Sequence, residues 1–541
     1  MKLGKRLAAL MMALVLAVGV LAGCGKQDEV HLRVCLETIP KTLDPAMVTS
    51  DEARTVVSHL FENLMKLQSN GSGGAAVVSG MARSYHVEQN IDGTEIYTFT
   101  LRSSARWSDG QAVTAQDFVY AWRRLADPAT GSANAAILDM VAGYSEARSG
   151  NPEALQVSAP DEHTFEVVLS GRCPYFLKSV CTAAATMPVR SDATAQENWF
   201  MNKDTFLTNG PYRVKSWDGE VLETEQTEGY YGSRRLGPDG ISFHFVSDAK
   251  TAASLFDRGD VDFVLGLTDE MIAKKPDSWM PDYYAETSVV LLNQMSTLTS
   301  DENLRRAMSL VLDRNAVANL MGSRTILPAE GLVTWGIQNT RGEEFRSIGP
   351  ALDNDEANYE KNCQTALELL AQSGHTAASL SALDTVTMLY ESDGITDSLT
   401  QLLQKTWKDK LGLTVTLRGV SREQMTEALS RGEYTIAALR IKSDRDDATG
   451  FLNRWRSGNE GNYANFHSSA YDMLLRVAAV SDRTDARDAY LEDAERLLLE
   501  TGNVIPLYYT TRSWELNTRY TGVFGDGLGR YFFTGVNGAA N

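Results

Sequence analysis

The sequence predicts an α/β protein with mixed or parallel sheets. Two observations carry this. Short alternating apolar stretches recur along the whole chain, with stretches of helical apolar spacing between them. Residues 385–441 condense the pattern into one β-α-β-α-β run, which reads as a compact unit on its own. At 541 residues, with 43% hydrophobic and 22% charged content, the chain has room for roughly two to four domains with full cores.

In order, residues 32–36 alternate as a strand that Lys41-Thr42-Leu43-Asp44-Pro45 breaks. Residues 52–67 carry helical spacing through Val56, Val57, Leu60, Leu64 and Leu67. Asn70-Gly71-Ser72-Gly73-Gly74 is a turn, and 95–101 alternates as a strand. A helix over 114–125 starts at Thr114, with Asp117 completing a capping box. Strands follow at 164–169 and at 212–217, the latter entered through the turn Thr208-Asn209-Gly210-Pro211. Next come a strand at 241–246, a helix at 248–258 stopped by Gly259, and a strand at 261–265. Helices are expected at 303–319 and at 359–373, where Gly374 ends the second. The compact run places strands at 386–390, 413–417 and 434–441, with helices at 397–411 and 421–430 between them. Helices at 470–480 and 483–500 and a strand at 505–511 complete the pattern.

The formal charge is -19, which argues against nucleic-acid binding, since that depends on neutralising phosphates. Met1 to Arg6 is basic, and the apolar run 7–21 ends in Leu21-Ala22-Gly23-Cys24. This resembles a bacterial lipoprotein signal, with residues 1–23 removed, Cys24 lipidated and 24–30 a polar tether. The resemblance implies an exported protein held to the outer face of the cell membrane by lipid. Cys35 and Cys363 sit among apolar neighbours and read as buried hydrophobes. Cys173 and Cys181, eight apart, are a candidate disulfide after export.

Catalytic and cofactor signatures are absent. There is no phosphate loop, no Gly-x-Ser-x-Gly and no His-Glu-x-x-His, and the seven histidines are scattered. Gly525-Asp526-Gly527-Leu528-Gly529 has turn spacing, and Asp353-Asn354-Asp355-Glu356 lacks the glycine and closing glutamate of a calcium loop. The sequence therefore predicts no enzyme, no metal and no cofactor.

One stretch combines a strand with acids. The 434–441 strand runs into Lys442-Ser443-Asp444-Arg445-Asp446-Asp447. It reads either as a strand leading to an Asp-rich cap, or as a backbone edge and carboxylate that meet an extended ligand and its cationic end.

Several segments resemble the oligopeptide-binding proteins of ABC importers, solute-binding family 5. The longest is Ala105-Arg106-Trp107-Ser108-Asp109-Gly110-Gln111 running on to Asp117-Phe118-Val119-Tyr120-Ala121-Trp122. Others, in chain order, are Leu43-Asp44-Pro45, Leu60-Phe61-Glu62-Asn63-Leu64, Asp161-Glu162-His163-Thr164-Phe165, Thr208-Asn209-Gly210-Pro211-Tyr212 and Asn462-Tyr463-Ala464-Asn465-Phe466. The resemblance implies a class II periplasmic-binding-protein-like fold of two lobes and a hinge. Domain I is expected over 31–66, 195–289 and 515–541, domain II over 67–194 and domain III over 290–514. It also implies a monomer that delivers a peptide, or another small solute, to ABC permease subunits. Asp444 is expected to accept a ligand's α-ammonium. Arg440, Ile441, Lys442 and Ser443 would form the pairing strand, and Thr49, Ser50 and Asp51 a facing loop. The family's peptide binders carry Trp-Cys-Ala-Asp-Tyr where this chain has Ile441-Lys442-Ser443-Asp444-Arg445. Arginines able to meet a ligand carboxylate match Leu429 and Ala438. Instead Arg440, Lys442 and Arg445 flank the site, which suits either a more acidic ligand or solvated side chains on alternate strand positions.

Overall fold

The computed structural model describes residues 30–539 apart from 72–73, 197, 276–278, 323, 383–385 and 482. The leader, Cys24 and most of the tether lie outside the described residues.

One mixed sheet of eleven strands runs through the molecule. From one edge its order is Val415–Val420, Val386–Glu391, Ile436–Lys442, Trp279–Leu292, Val504–Leu516, Phe263–Leu265, His31–Leu36, Gly240–Phe245, Val221–Gln226 and Tyr212–Trp217, with Ile326–Pro328 on the flank of Val504–Leu516. Trp279–Leu292 and Val504–Leu516 are long enough to serve both halves. Their outer ends pair Trp279 with Glu515 through Tyr283 with Thr511, and their inner ends pair Thr287 with Tyr509 through Leu291 with Val504. Register slips between Tyr283 and Thr287, where the two lobes meet. A bulge loosens pairing and bends a strand, so these strands form the hinge of a class II fold.

Each lobe builds its own core. The first gathers Leu32, Val34, Val57, Phe99, Trp122, Phe165 and Phe243, and takes in Phe533 from the chain end. A separate four-stranded antiparallel sheet, Ala82–Gln89, Glu95–Leu101, Thr164–Leu169 and Val157–Asp161, packs into that core. The second lobe fills both faces of its part of the large sheet, with Val289, Ala437 and Ile441 on one side and Val290, Ile436 and Ala438 on the other. The two-residue period of a strand sorts these neighbours to opposite faces.

Most elements fall where the sequence places them, and the departures have local causes. The helix expected over 52–67 is Asp51–Leu60 and ends there. The Asn209-Gly210 turn takes its continuation: Gly210 N donates to Leu60 O at 2.9 Å, and Glu62 N donates to Asn209 Oδ1 at 3.1 Å. Residues 65–69 then pair as a strand with Ala75–Ser79. The 303–319 helix is two helices, Glu302–Leu310 and Arg314–Gly322, because the Asp313 carboxylate accepts from Ala316 N and restarts the chain. The 385–441 run is not a unit on its own. Its last strand pairs along its whole length with Trp279–Leu292. The Cys173 and Cys181 thiols are free and buried, so the candidate disulfide is not formed. Asp353 to Glu356 is a turn in which Asp353 and Asp355 accept backbone N–H groups. The Asp117 carboxylate accepts Thr114 N at 2.8 Å and the Trp107 indole at 3.2 Å, so the capping residue also anchors the long Trp107 motif.

Gly210 has no room for a side chain, since an added Cβ would lie 2.6 Å from the Leu60 carbonyl carbon. Gly210→Ala is expected to cost about 1–3 kcal/mol by overpacking. Thermal unfolding checks this, and an unchanged midpoint would contradict the close packing.

Candidate functional site

The strand Ile436–Lys442 has one side free where the site begins. Trp279–Leu292 pairs with all of it, whereas Val386–Glu391 pairs only with Ile436, Ala437 and Ala438. Beyond Ala438, no strand among the described residues covers that edge. Ser443 N donates to Ala285 O, so by the antiparallel alternation Ile441 and Leu439 also face Trp279–Leu292, and the backbone N–H and C=O groups of Arg440 and Lys442 are those left to pair with an added extended chain.

The edge runs along the interlobe cleft, where two cavities lie. The larger, about 610 Å³, is lined from the first lobe by Glu37 and Leu267 and from the second by Glu286, Arg422, Leu429 and Arg440. The smaller, about 300 Å³, is lined by Arg54, Asn134, Lys178, Ala184, Lys442 and Asp444, among others. Between them stands an ion cluster centred on Asp51. Its carboxylate accepts from Lys442 Nζ at 2.5 Å, Tyr284 Oη at 2.6 Å, Arg512 Nη2 at 2.9 Å and Arg54 Nη1 at 3.3 Å. The Lys442 and Arg512 charges both sit over the Tyr284 ring at 4.6 Å. Behind the carboxylate Gly529 approaches so closely that a Cβ would lie 2.3 Å from Asp51 Oδ2. Burial opposes the Asp51 charge, but Lys442 and Arg512 outweigh it and hold the carboxyl below its ordinary range. The Lys442 ammonium is also held below its ordinary range, which in a lysine disfavours the charge: burial dominates, with Arg54 and Arg512 beside it, and Asp51 offsets them only in part. One carboxylate shared among three cations leaves the ammonium under-compensated, so the same shift steadies the Asp51 charge and weakens that of Lys442.

Asp444 follows the strand and faces the smaller cavity with 52% of its side chain exposed. Arg445 grips it through two hydrogen bonds, Nε to Oδ1 at 2.7 Å and Nη2 to Oδ2 at 3.0 Å. Crowding by surrounding atoms disfavours the charge, yet the Arg445 guanidinium holds Asp444 below the usual carboxylate range. A carboxylate has about four lone-pair positions, so two stay open to the cavity. Arg445 is itself fixed across the cleft by Tyr175, whose hydroxyl accepts from Nη1 at 2.7 Å. Next to it, Lys178 of the first lobe pairs with Asp446 of the second and donates to Gln338 Oε1 at 2.7 Å.

The structure brings Asp444, Ser443 and Lys442 together at the smaller cavity and Arg440 to the larger one. Ile441 points into the core and offers only its backbone. Thr49 is exposed and lines neither cavity, Ser50 caps the following helix by accepting from Ala53 N, and the Asp51 side chain is fully engaged. The flanking cations are not free. Lys442 pairs with Asp51, Arg445 with Asp444, and Arg440 with Asp393 at 2.8 Å. Each of the three has an acid partner, Arg440 at the exposed surface, while Lys442 shares its carboxylate with Arg54 and Arg512. Tyr175, Lys178, Tyr284 and Arg512 escaped sequence reasoning because each meets the site from a distant segment with no local motif.

Comparison with known proteins places the fold. Residues 76–463 match the family described as bacterial extracellular solute-binding proteins, family 5 middle. The chain belongs to this family, and it is a binding protein, not an enzyme. Among similar curated proteins, the periplasmic oligopeptide-binding protein OppA of Salmonella typhimurium is 28% identical over 483 residues, covering 87% of this chain and 85% of that protein. The dipeptide-binding protein DppE of Bacillus subtilis is 25% identical over 493 residues, covering 90% and 88%. Among solved structures, Haemophilus influenzae OppA in complex with the peptide RPPGFSPFR superposes with a TM-score of 0.75 at 22% identity, covering 95% of this chain and 99% of that one. The Escherichia coli murein tripeptide-binding protein MppA gives 0.75 at 23%, with 95% and 99% covered. These likenesses establish the fold.

Asp282 lies on a hinge strand behind the Asp51 cluster. Burial and the neighbouring Asp526 push its carboxyl up to about 6, while Tyr531 and Arg512 oppose the rise. An acid raised in the folded state favours folding while protonated, and that contribution is lost as pH rises through about 6. Asp282→Asn removes the titration. Its melting temperature relative to the parent is expected to climb between acidic and neutral pH, and a pH-independent difference would contradict the raised value.

Proposed function

We propose that this chain is the extracytoplasmic, lipid-anchored receptor of an ABC importer, which takes a peptide into the interlobe cleft and delivers it to the permease. The observation that carries the peptide reading is the free backbone edge at Lys442, where the strand ends beside the half-exposed Asp444 in the same chamber. Main-chain pairing reads an extended peptide whatever its side chains, and a carboxylate at the edge's end fixes the register through the α-ammonium. Arg445 holds the Asp444 carboxylate in position without filling its acceptor capacity. The names of OppA and DppE, both peptide binders, support the reading. The pairing of Arg440, Lys442 and Arg445 with acids argues against an acidic conjugate as ligand.

The working cycle would be hinge bending at the 283–287 bulge, closure on the peptide, and docking of the closed form on the permease. The three-part division into 31–66 with 195–289 and 515–541, 67–194, and 290–514 describes the bodies that would move. Lipidation of Cys24 would supply the anchor. Among the described residues no helix is long and apolar enough to cross a membrane.

Calorimetry with a short peptide and its N-acetylated form tests the amine anchor. Asp444→Asn is expected to weaken binding of the free-amine peptide by about 2–5 kcal/mol, the loss seen on truncating a buried charge pair. Acetylation of the peptide should cost the parent protein a comparable amount. Undiminished affinity in either experiment would sink the role of Asp444.

A further inference from the structure

We propose that the Asp51–Lys442 pair is a length gate: it ends the smaller chamber opposite Asp444 and restricts the ligand to two or three residues, whose C-terminal carboxylate is received by Lys442 and Arg54. The inference rests on the peptide reading above and adds the size class of the ligand.

The geometry of the chamber supports it. Lys442 and Asp444 line the same cavity, Lys442 at the end of the strand and Asp444 in the bend two residues on, so their Cα atoms lie at most about 7 Å apart. Two extended peptide residues span that same distance, about 7 Å. The volume of about 300 Å³ is at the bottom of the range for small-molecule sites, about 300–1,000 Å³. The charge layout suits a short zwitterion. Asp444 is the only acid among the lining residues, while Arg54, Lys178, Lys442 and Arg530 are cations. Lys178 has Asp446 and Arg530 has Asp526 as partners, whereas Lys442 and Arg54 share the single Asp51 carboxylate with Arg512 and are the cations left under-compensated. Lys442 has three N–H donors, of which one is directed at Asp51.

The gate is also built to stay in place. Asp51 is held by Tyr284, Arg512 and Arg54 besides Lys442, and Gly529 packs against its back. Tyr284 and Arg512 form part of the wall of the larger chamber, so that space of about 610 Å³ lies beyond the bar. A longer peptide reaches it only by breaking the ion pair and leaving a buried charge unmatched.

The test is a length ladder of free oligoalanines from dipeptide to pentapeptide, titrated into the whole mature protein by calorimetry. The parent is expected to bind the di- or tripeptide at least about tenfold more tightly than the pentapeptide. Lys442→Ala should abolish that preference by joining the chambers, and Lys442→Arg should restore it. A parent that binds all lengths equally overturns the gate and leaves the peptide reading standing. An unchanged preference in Lys442→Ala does the same. Failure of every oligoalanine to bind the parent overturns the peptide reading and the gate with it. The ladder on the parent needs no variant, so a folding defect in Lys442→Ala would not spare the proposal.

Discussion

Asp51 is the constraint on which the cleft depends. Its single carboxylate receives Lys442 from the second lobe, Tyr284 and Arg512 from the two hinge strands, and Arg54 from its own helix. None of the four donors can leave without stranding charge at a buried place, where an unmatched ion is far more costly than in water. The glycine behind it and the helix N-terminus in front, capped by Ser50, fix the carboxylate from the remaining sides. Hinge, first lobe and second lobe are thereby registered to one another at one point.

The same logic governs the far end of the cleft. Arg445 is locked between Asp444 and Tyr175, and Lys178 between Asp446 and Gln338. The contacts of Arg445 with Tyr175 and of Lys178 with Asp446 and Gln338 join residues far apart in sequence across the cleft. These polar contacts span the cleft, so opening it requires water to replace each partner. Among the charged groups around Asp444, its carboxylate keeps both exposure and acceptor capacity, and the proposed amine anchor draws on both.

Much of the fold was legible because strand and helix periods survive in the sequence. The last strand of the 385–441 run, expected over 434–441, and the helices expected over 470–480 and 483–500 fell within a few residues of Ile436–Lys442, Ser469–Val480 and Thr484–Glu500. What failed to show was decided by distant partners. The helix past Leu60 was lost to a turn at Asn209-Gly210, and Trp279–Leu292, the longer hinge strand, opens on Trp279-Met280-Pro281-Asp282, which has no strand signature. At the candidate site, the strand running into Lys442-Ser443-Asp444 was legible, since a strand ending in acids is a local pattern. It could not find that Asp51, suggested as a ligand-facing loop residue, is the partner of Lys442, because 391 residues separate them. The three flanking cations each have an acid partner in the fold, two of them far away in sequence, which no local pattern reveals.

The central claim is that the chamber beside Asp444 holds peptides. Native mass spectrometry of the freshly purified protein tests it most directly, by weighing whatever the cleft has retained. The account predicts a dispersed set of short-peptide masses that disappears from Asp444→Asn protein. One fixed non-peptide mass, retained in that variant, would contradict it.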